Sequence, residues 1–257
     1  MPEAPRPNLI ILMVLGALTG MLSGLFGIGG GVVLVPMMVL FLKFEQRLAA
    51  GTSVAAILPA AVVGGIGYAV QGNVDWIAAL ALAIGVVVGA QIGSWLLSRV
   101  PTAFLRWLFM TFLLAVIVSL WFVVPQRDAS IDMSPLVIGL LIVTGLATGV
   151  LSGLLGVGGG IVVVPVLMFF FGASDLIAKG TSLIMLIPGS ISGTIGNMRR
   201  RNVDLRAAAT LGIAASVFSP LGSIVATHIA PFWSNVTFSI LLAIILAQMV
   251  VKALKKK

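Results

Sequence analysis

A triple glycine embedded in apolar sequence, and present twice, restricts the fold of this chain more than any other feature. Residues 20–36 read GMLSGLFGIGGGVVLVP and residues 149–165 read GVLSGLLGVGGGIVVVP. The two stretches lie 129 residues apart, agree at 12 of 17 positions, and differ elsewhere only by one apolar side chain for another. Each glycine weakens a helix by about 1 kcal/mol relative to alanine, so Gly27, Gly29, Gly30 and Gly31 together interrupt any helix running through them. Interrupted backbone in hydrocarbon leaves amide and carbonyl groups unpaired, which is tolerated only inside protein or beside a water-filled cavity. Both stretches are therefore expected to face away from lipid.

The surroundings demand a membrane. Hydrophobic residues form 60% of the chain, charged residues 9%, and the mean hydropathy is +1.22, far from the balance of a soluble domain. Apolar runs of about 20 residues, the length of a crossing helix, recur from end to end. With no polar linker, one membrane domain is expected, with the lipid bilayer as its partner. The polar N-terminal MPEAPRPN runs into the first apolar segment with no small-residue cleavage site, so that segment is read as retained. The chain has no cysteine, which excludes disulfides and thiolate chemistry. Its net charge of +8 reflects Lys and Arg in cytoplasmic loops rather than a nucleic-acid partner.

Residues 8–42, as one helix, would measure about 52 Å against a hydrocarbon core of about 30 Å, so the region must turn back on itself. A re-entrant hairpin and two short full crossings both satisfy this. Three further spans follow at 48–71, 76–98 and 104–124, and a polar segment at 125–134 closes the first half. The second half repeats the plan in one register: Thr52-Ser53 maps to Thr181-Ser182, Pro59 to Pro188, Asn73-Val74-Asp75 to Asn202-Val203-Asp204, and Gly93-Ser94 to Gly222-Ser223. The pattern predicts an all-α integral membrane protein of two repeats, 1–128 and 129–257, with about 8 full spans plus glycine-broken segments, or 8–10 crossings.

Charge sets the orientation. If the glycine region enters and returns, Arg6, Lys43, Arg47, Arg99, Arg106, Arg199, Arg200, Arg201, Arg206 and the lysines at 252–257 share one face, and only Arg127 and Lys179 lie on the other. A single crossing there would weaken this asymmetry. The excess of Lys and Arg on the cytoplasmic side therefore favours an inverted repeat in an inner membrane, both termini cytoplasmic.

Inverted repeats with interrupted helices are the usual build of secondary transporters, with the site midway between the repeats. The helices resuming after Gly31 and Gly160 direct unpaired amides and positive dipole ends toward the breaks, a place for an anion. The candidate binding residues are Gly29, Gly30, Gly31, Gly158, Gly159 and Gly160, whose missing Cβ lets backbone approach a ligand. Pro36 and Pro165 each free a carbonyl one turn earlier. Thr52, Ser53, Thr181 and Ser182 are read as uncharged donors or as helix caps. Tyr68 and Asn197, at equivalent positions, together with Gln91 and Ser192, are polar lining candidates. Isolated glycines such as Gly64, Gly85 and Gly139 are assigned to close helix packing, and Lys179 is expected to snorkel to the interface.

None of the seven carboxylates, Glu3, Glu45, Asp75, Asp128, Asp132, Asp175 and Asp204, falls in the middle of a span. The sequence thus predicts no buried acidic relay and disfavours a cationic substrate. His228 is the sole histidine, so no catalytic triad or metal site is expected, and the glycine run lacks the Lys-Ser/Thr of a nucleotide loop. No enzyme activity, metal or cofactor is predicted.

The doubled Gly24-Leu25-Phe26-Gly27-Ile28-Gly29-Gly30-Gly31 and Gly153-Leu154-Leu155-Gly156-Val157-Gly158-Gly159-Gly160, each followed by GTS, a proline and an NVD turn, resembles the TauE/SafE family of sulfite exporters over essentially the whole chain. One departure is the second turn, led by Arg199-Arg200-Arg201 where the first has glycine. The resemblance implies transport of a sulfur-containing anion such as sulfite or a sulfonate, by alternating access. An anion channel with the same site, or a non-transporting scaffold, are the alternatives.

Overall fold

A computed structural model describes residues 9–122 and 131–254. Among them are ten helices and no strand: α1 (Leu9–Phe26), α2 (Gly31–Phe41), α3 (Gln46–Val70), α4 (Trp76–Arg99), α5 (Thr102–Phe122), α6 (Pro135–Leu155), α7 (Gly160–Phe170), α8 (Asp175–Arg199), α9 (Leu205–His228) and α10 (Pro231–Leu254). The bounds of α7, α8 and α9 are those of α2, α3 and α4 moved by 129 residues. The boundary expected at 128/129, and Glu3, Arg6, Arg127, Asp128 and the tail lysines, lie outside the described side chains.

Eight helices are long and apolar enough to cross a membrane; the exceptions are α2 and α7, with 11 residues each. At 1.5 Å per residue these two reach about 16 Å, roughly half of the hydrocarbon core. The reading of the glycine region as two short full crossings therefore fails on length, and each break leads into a half-helix.

Local chemistry fixes the ends. Asp75 caps α4 by accepting from the Ala78 amide, Asp204 caps α9 by accepting from Arg206 and Ala207, and Ser134 and Ser174 cap α6 and α8. Arg201, in the second NVD turn, takes the left-handed conformation that Gly72 takes in the first. This accommodates the departure from glycine at that turn without changing its path.

Packing is reciprocal. α1 lies on α9 and α4 on α6, while α3 and α8 pack on each other at the centre and on α9 and α4 respectively. Small residues let the two outer pairs meet at backbone distance. A Cβ on Gly85 would fall on the Ile142 carbonyl, and one on Gly20 would fall on Ala215. Gly64 is likewise confined, by Ser219, but a Cβ on Gly139 would meet nothing within 4 Å, so Gly139 is not a packing glycine. Gly85→Ala is accordingly expected to destabilise the protein by about 1–3 kcal/mol through overpacking. Gly139→Ala should instead be neutral or stabilising by up to about 1 kcal/mol; thermal melting in detergent separates the two signs.

Candidate functional site

Both breaks are built alike. Gly27 and Gly156 end α1 and α6 in the left-handed conformation, φ 69° and 73°, their amides returning to the carbonyls of Ser23 and Ser152. Gly29 and Gly30, and their counterparts Gly158 and Gly159, also have positive φ, which admits glycine at little cost and other residues rarely. Residues 27–31 and 156–160 are buried throughout, as the sequence requires. The half-helices begin with no side-chain cap at Gly30 or Gly159.

The two breaks touch. A Cβ on Gly31 would lie 2.5 Å from the Gly156 carbonyl oxygen, and one on Gly160 would lie 2.5 Å from that of Gly27. Among the described residues, no intramolecular acceptor meets the amides of Ile28, Gly29, Gly30, Gly31 and Val32 in one break, or of Val157, Gly158, Gly159 and Ile161 in the other. Buried amides are nearly always paired, so a cluster without acceptors needs an explanation. Chemically, the N-terminal ends of two half-helices present N–H donors and positive dipole ends that suit an anion.

The GTS segments have a use that sequence reasoning did not find. Neither caps a helix, since both sit more than one turn inside α3 and α8. The Ser53 hydroxyl donates to the Gly156 carbonyl, and the Ser182 hydroxyl donates to the Gly27 carbonyl. Thr52 and Thr181 accept, at 3.0 Å, from the backbone amides of Asp204 and Asp75 in the opposite repeat's turn. Gly51 and Gly180 leave room for that turn, because a Cβ on either would fall on the Asn202 or Asn73 carbonyl. Each GTS thus clamps the other repeat's break and turn. Ser182→Ala should cost about 1–3 kcal/mol by stranding a buried carbonyl, read as a lowered melting temperature.

The polar lining candidates are engaged elsewhere. Tyr68 donates to the Gly24 carbonyl at 2.8 Å, Asn197 donates to Gly193, and Gln91 and Ser192 bond each other across α4 and α8. Thr148 was not singled out by the sequence; its buried Oγ1 has no partner, and its Cγ2 would lie 2.8 Å from a Cβ on Gly159. The signal available for it was its repetition as Thr19 in the other half.

Two expectations about charge are overturned. Asp175 is a buried carboxylate, 2% exposed, and Lys179 is 4% exposed rather than snorkelling. The two pair at 3.4 Å, and the Lys179 ammonium also donates to Ser234 Oγ at 3.2 Å. Asp175 opens α8 right after a four-residue connection from the half-helix α7. A residue adjacent to a loop in sequence is therefore deep in the packing, and the inference against a buried acidic group does not hold.

Two cavities lie at equivalent positions of the repeats, the second against the first break. One, of about 600 Å³, is lined by Pro36, Val39, Lys43, Gln46 and Arg106 among others. The second, of about 20 Å³, is lined by Pro165, Met168, Asp175, Lys179 and Asn235, together with Ile28 and Ile161. Pro36 and Pro165, Val39 and Met168, Gln46 and Asp175, and Arg106 and Asn235 are repeat counterparts. The same feature is thus wide in one half and nearly shut in the other.

A profile of the family described as Sulfite exporter TauE/SafE matches residues 2–120 and 141–257. The chain is 28% identical over 199 residues to the "Probable membrane transporter protein YdhB" of Bacillus subtilis, covering 76% of this chain and 80% of that one. It is 26% identical over 223 residues to "Probable membrane transporter protein YunE" of the same organism, covering 77% and 81%. A "Probable membrane transporter protein" of Xylella fastidiosa is 28% identical over 226 residues, covering 86% of each chain. No solved structure matches significantly.

Proposed function

Given that this chain belongs to the sulfite exporter TauE/SafE family, we propose that it is a secondary transporter of a small sulfur-containing anion, sulfite or an organosulfonate, working by alternating access in the inner membrane. The observation that carries the reading is the pair of buried breaks in backbone contact, with amides that lack acceptors. The amides of Gly29, Gly30, Gly31, Gly158 and Gly159 and the Thr148 hydroxyl would meet the anion. Gly160, whose own amide reaches the Gly158 carbonyl, shapes the contact between breaks. Thr52, Ser53, Thr181 and Ser182 hold the breaks and turns in place, while Tyr68 and Asn197 fix their helices.

Lys43 and Arg106, set against the one carboxylate of Glu45, leave the wide cavity with a net positive charge that favours an anion. This mouth belongs to the face rich in Lys and Arg, proposed as cytoplasmic together with both termini. The unequal cavities of the two repeats, proposed as 1–128 and 129–257, match a carrier resting open on one side. An anion channel requires both mouths open at once, and the small second cavity disfavours it.

Reconstitution into proteoliposomes tests the assignment. Saturable flux of sulfite or methanesulfonate, inhibited by the other anion and absent from empty vesicles, is expected. Flux that rises linearly with gradient would point to the channel, and folded protein that moves neither anion would refute the substrate class.

A further inference from the structure

The first repeat builds the equivalent helix without a counterpart of the Asp175–Lys179 pair. Gln46 and Ala50 stand at the equivalent positions, and α3, which carries them, has the same length as α8. Burying two charges costs more than their mutual attraction returns unless both are well bonded. Here the ion-pair contact is long, 3.4 Å, and although the ammonium also donates to Ser234 Oγ, Asp175 Oδ1 has no partner. An exchangeable partner explains why such a pair is kept where the other repeat uses neutral groups.

Its position says what the exchange is. Lys179 packs directly on the first break, since a Cβ on Gly27 would lie 2.6 Å from Lys179 Cα, and Ser182, one turn later, holds the Gly27 carbonyl. The small cavity that Lys179 and Asp175 line is also lined by Ile28 and Ile161, whose amides lack acceptors. A cation and a carboxylate thus share one space with a residue of each break, and an incoming anion competes with the carboxylate for the cation.

We propose that Lys179 is the anion-recognising cation of the second mouth and that the Asp175 carboxylate occupies the anion's place while that mouth is shut. An anion bound at the breaks takes over the ammonium, Asp175 is released, and the second mouth opens. The proposal rests on the transporter reading above and names the residue through which the substrate's charge is read. The asymmetry follows from the sequence: only the second repeat carries the pair, so only that mouth is latched.

Because the chain has no cysteine, Val164→Cys gives a clean reporter in the small cavity, where Val164 is 7% exposed. Labelling by a membrane-impermeant maleimide, without added anion, is expected to be at least about tenfold faster in Asp175→Asn and in Asp175→Gln/Lys179→Ala than in the parent, since a closed state commonly holds the open one to about 0.1–10%. The double variant copies the first repeat, which guards against misfolding. Methanesulfonate binding, measured calorimetrically on the purified protein, should be tightened in Asp175→Asn and weakened at least about tenfold in the double variant, the loss of one charged hydrogen bond. A purely structural pair would leave labelling unchanged and give Asp175→Asn no gain in affinity, which overturns the latch. Binding by the parent that is unmoved in the double variant overturns the role of Lys179 alone. No binding of methanesulfonate or sulfite by any form overturns the transporter reading as well, while labelling still decides whether the pair holds the mouth shut.

Discussion

Alanine at Gly31 is expected to reduce anion binding and flux at least about 100-fold while leaving all ten helices in place. Gly31 is the first residue of α2 and its φ is not positive, so alanine is at ease in the local backbone. What it meets is the other repeat: the new Cβ would sit 2.5 Å from the Gly156 carbonyl oxygen and 2.8 Å from the Val157 carbonyl carbon. Backbone on both sides cannot turn aside as a side chain does, so the breaks must separate. If the amides of the two breaks bind one anion together, separation by an ångström misaligns those of one break. Losing two charge-assisted hydrogen bonds, about 1.5–3 kcal/mol each, weakens binding by 100-fold or more. Gly139→Ala is the matched control, a helical glycine with open space around it, and should transport at the parent's rate. Full activity in folded Gly31→Ala would place the anion somewhere other than between the breaks.

The sequence spoke clearly wherever a feature was local or repeated. Glycine clusters in apolar surroundings announced the breaks, and the 129-residue register announced paired helices, because both follow from backbone propensity and from a solvent that forbids unpaired amides. It was silent on contacts between repeats. Thr52 and Ser53 looked like donors or caps, since nothing nearby in sequence reveals that their partners are Asp204 and Gly156. Asp175 looked like a loop residue for the same reason: depth is set by where α7 ends, and a half-helix stops inside the protein. Gly139 is the converse case, a glycine in a packing register that the geometry leaves unused.

Cysteine accessibility should differ between the two mouths by about 10- to 1,000-fold in the unmodified resting protein, the range given by a minor state populated at about 0.1–10%. Val39 lines the cavity of about 600 Å³ and Val164 the cavity of about 20 Å³, and both are small apolar residues that a cysteine replaces with little strain. An impermeant maleimide applied from the Lys- and Arg-rich face should label Val39→Cys quickly, while Val164→Cys should react slowly and from the opposite face. Alternating access adds a second requirement, that the two rates be coupled. On that reading, whatever opens the second mouth closes the first, the close backbone approach of the two breaks being the element that would couple them. Asp175→Asn should therefore slow labelling of Val39→Cys as it speeds labelling of Val164→Cys. Independent changes at the two positions would leave two unconnected gates, the behaviour of a channel; equal fast labelling at both would mean that the barrier between the faces is not formed by the glycine breaks.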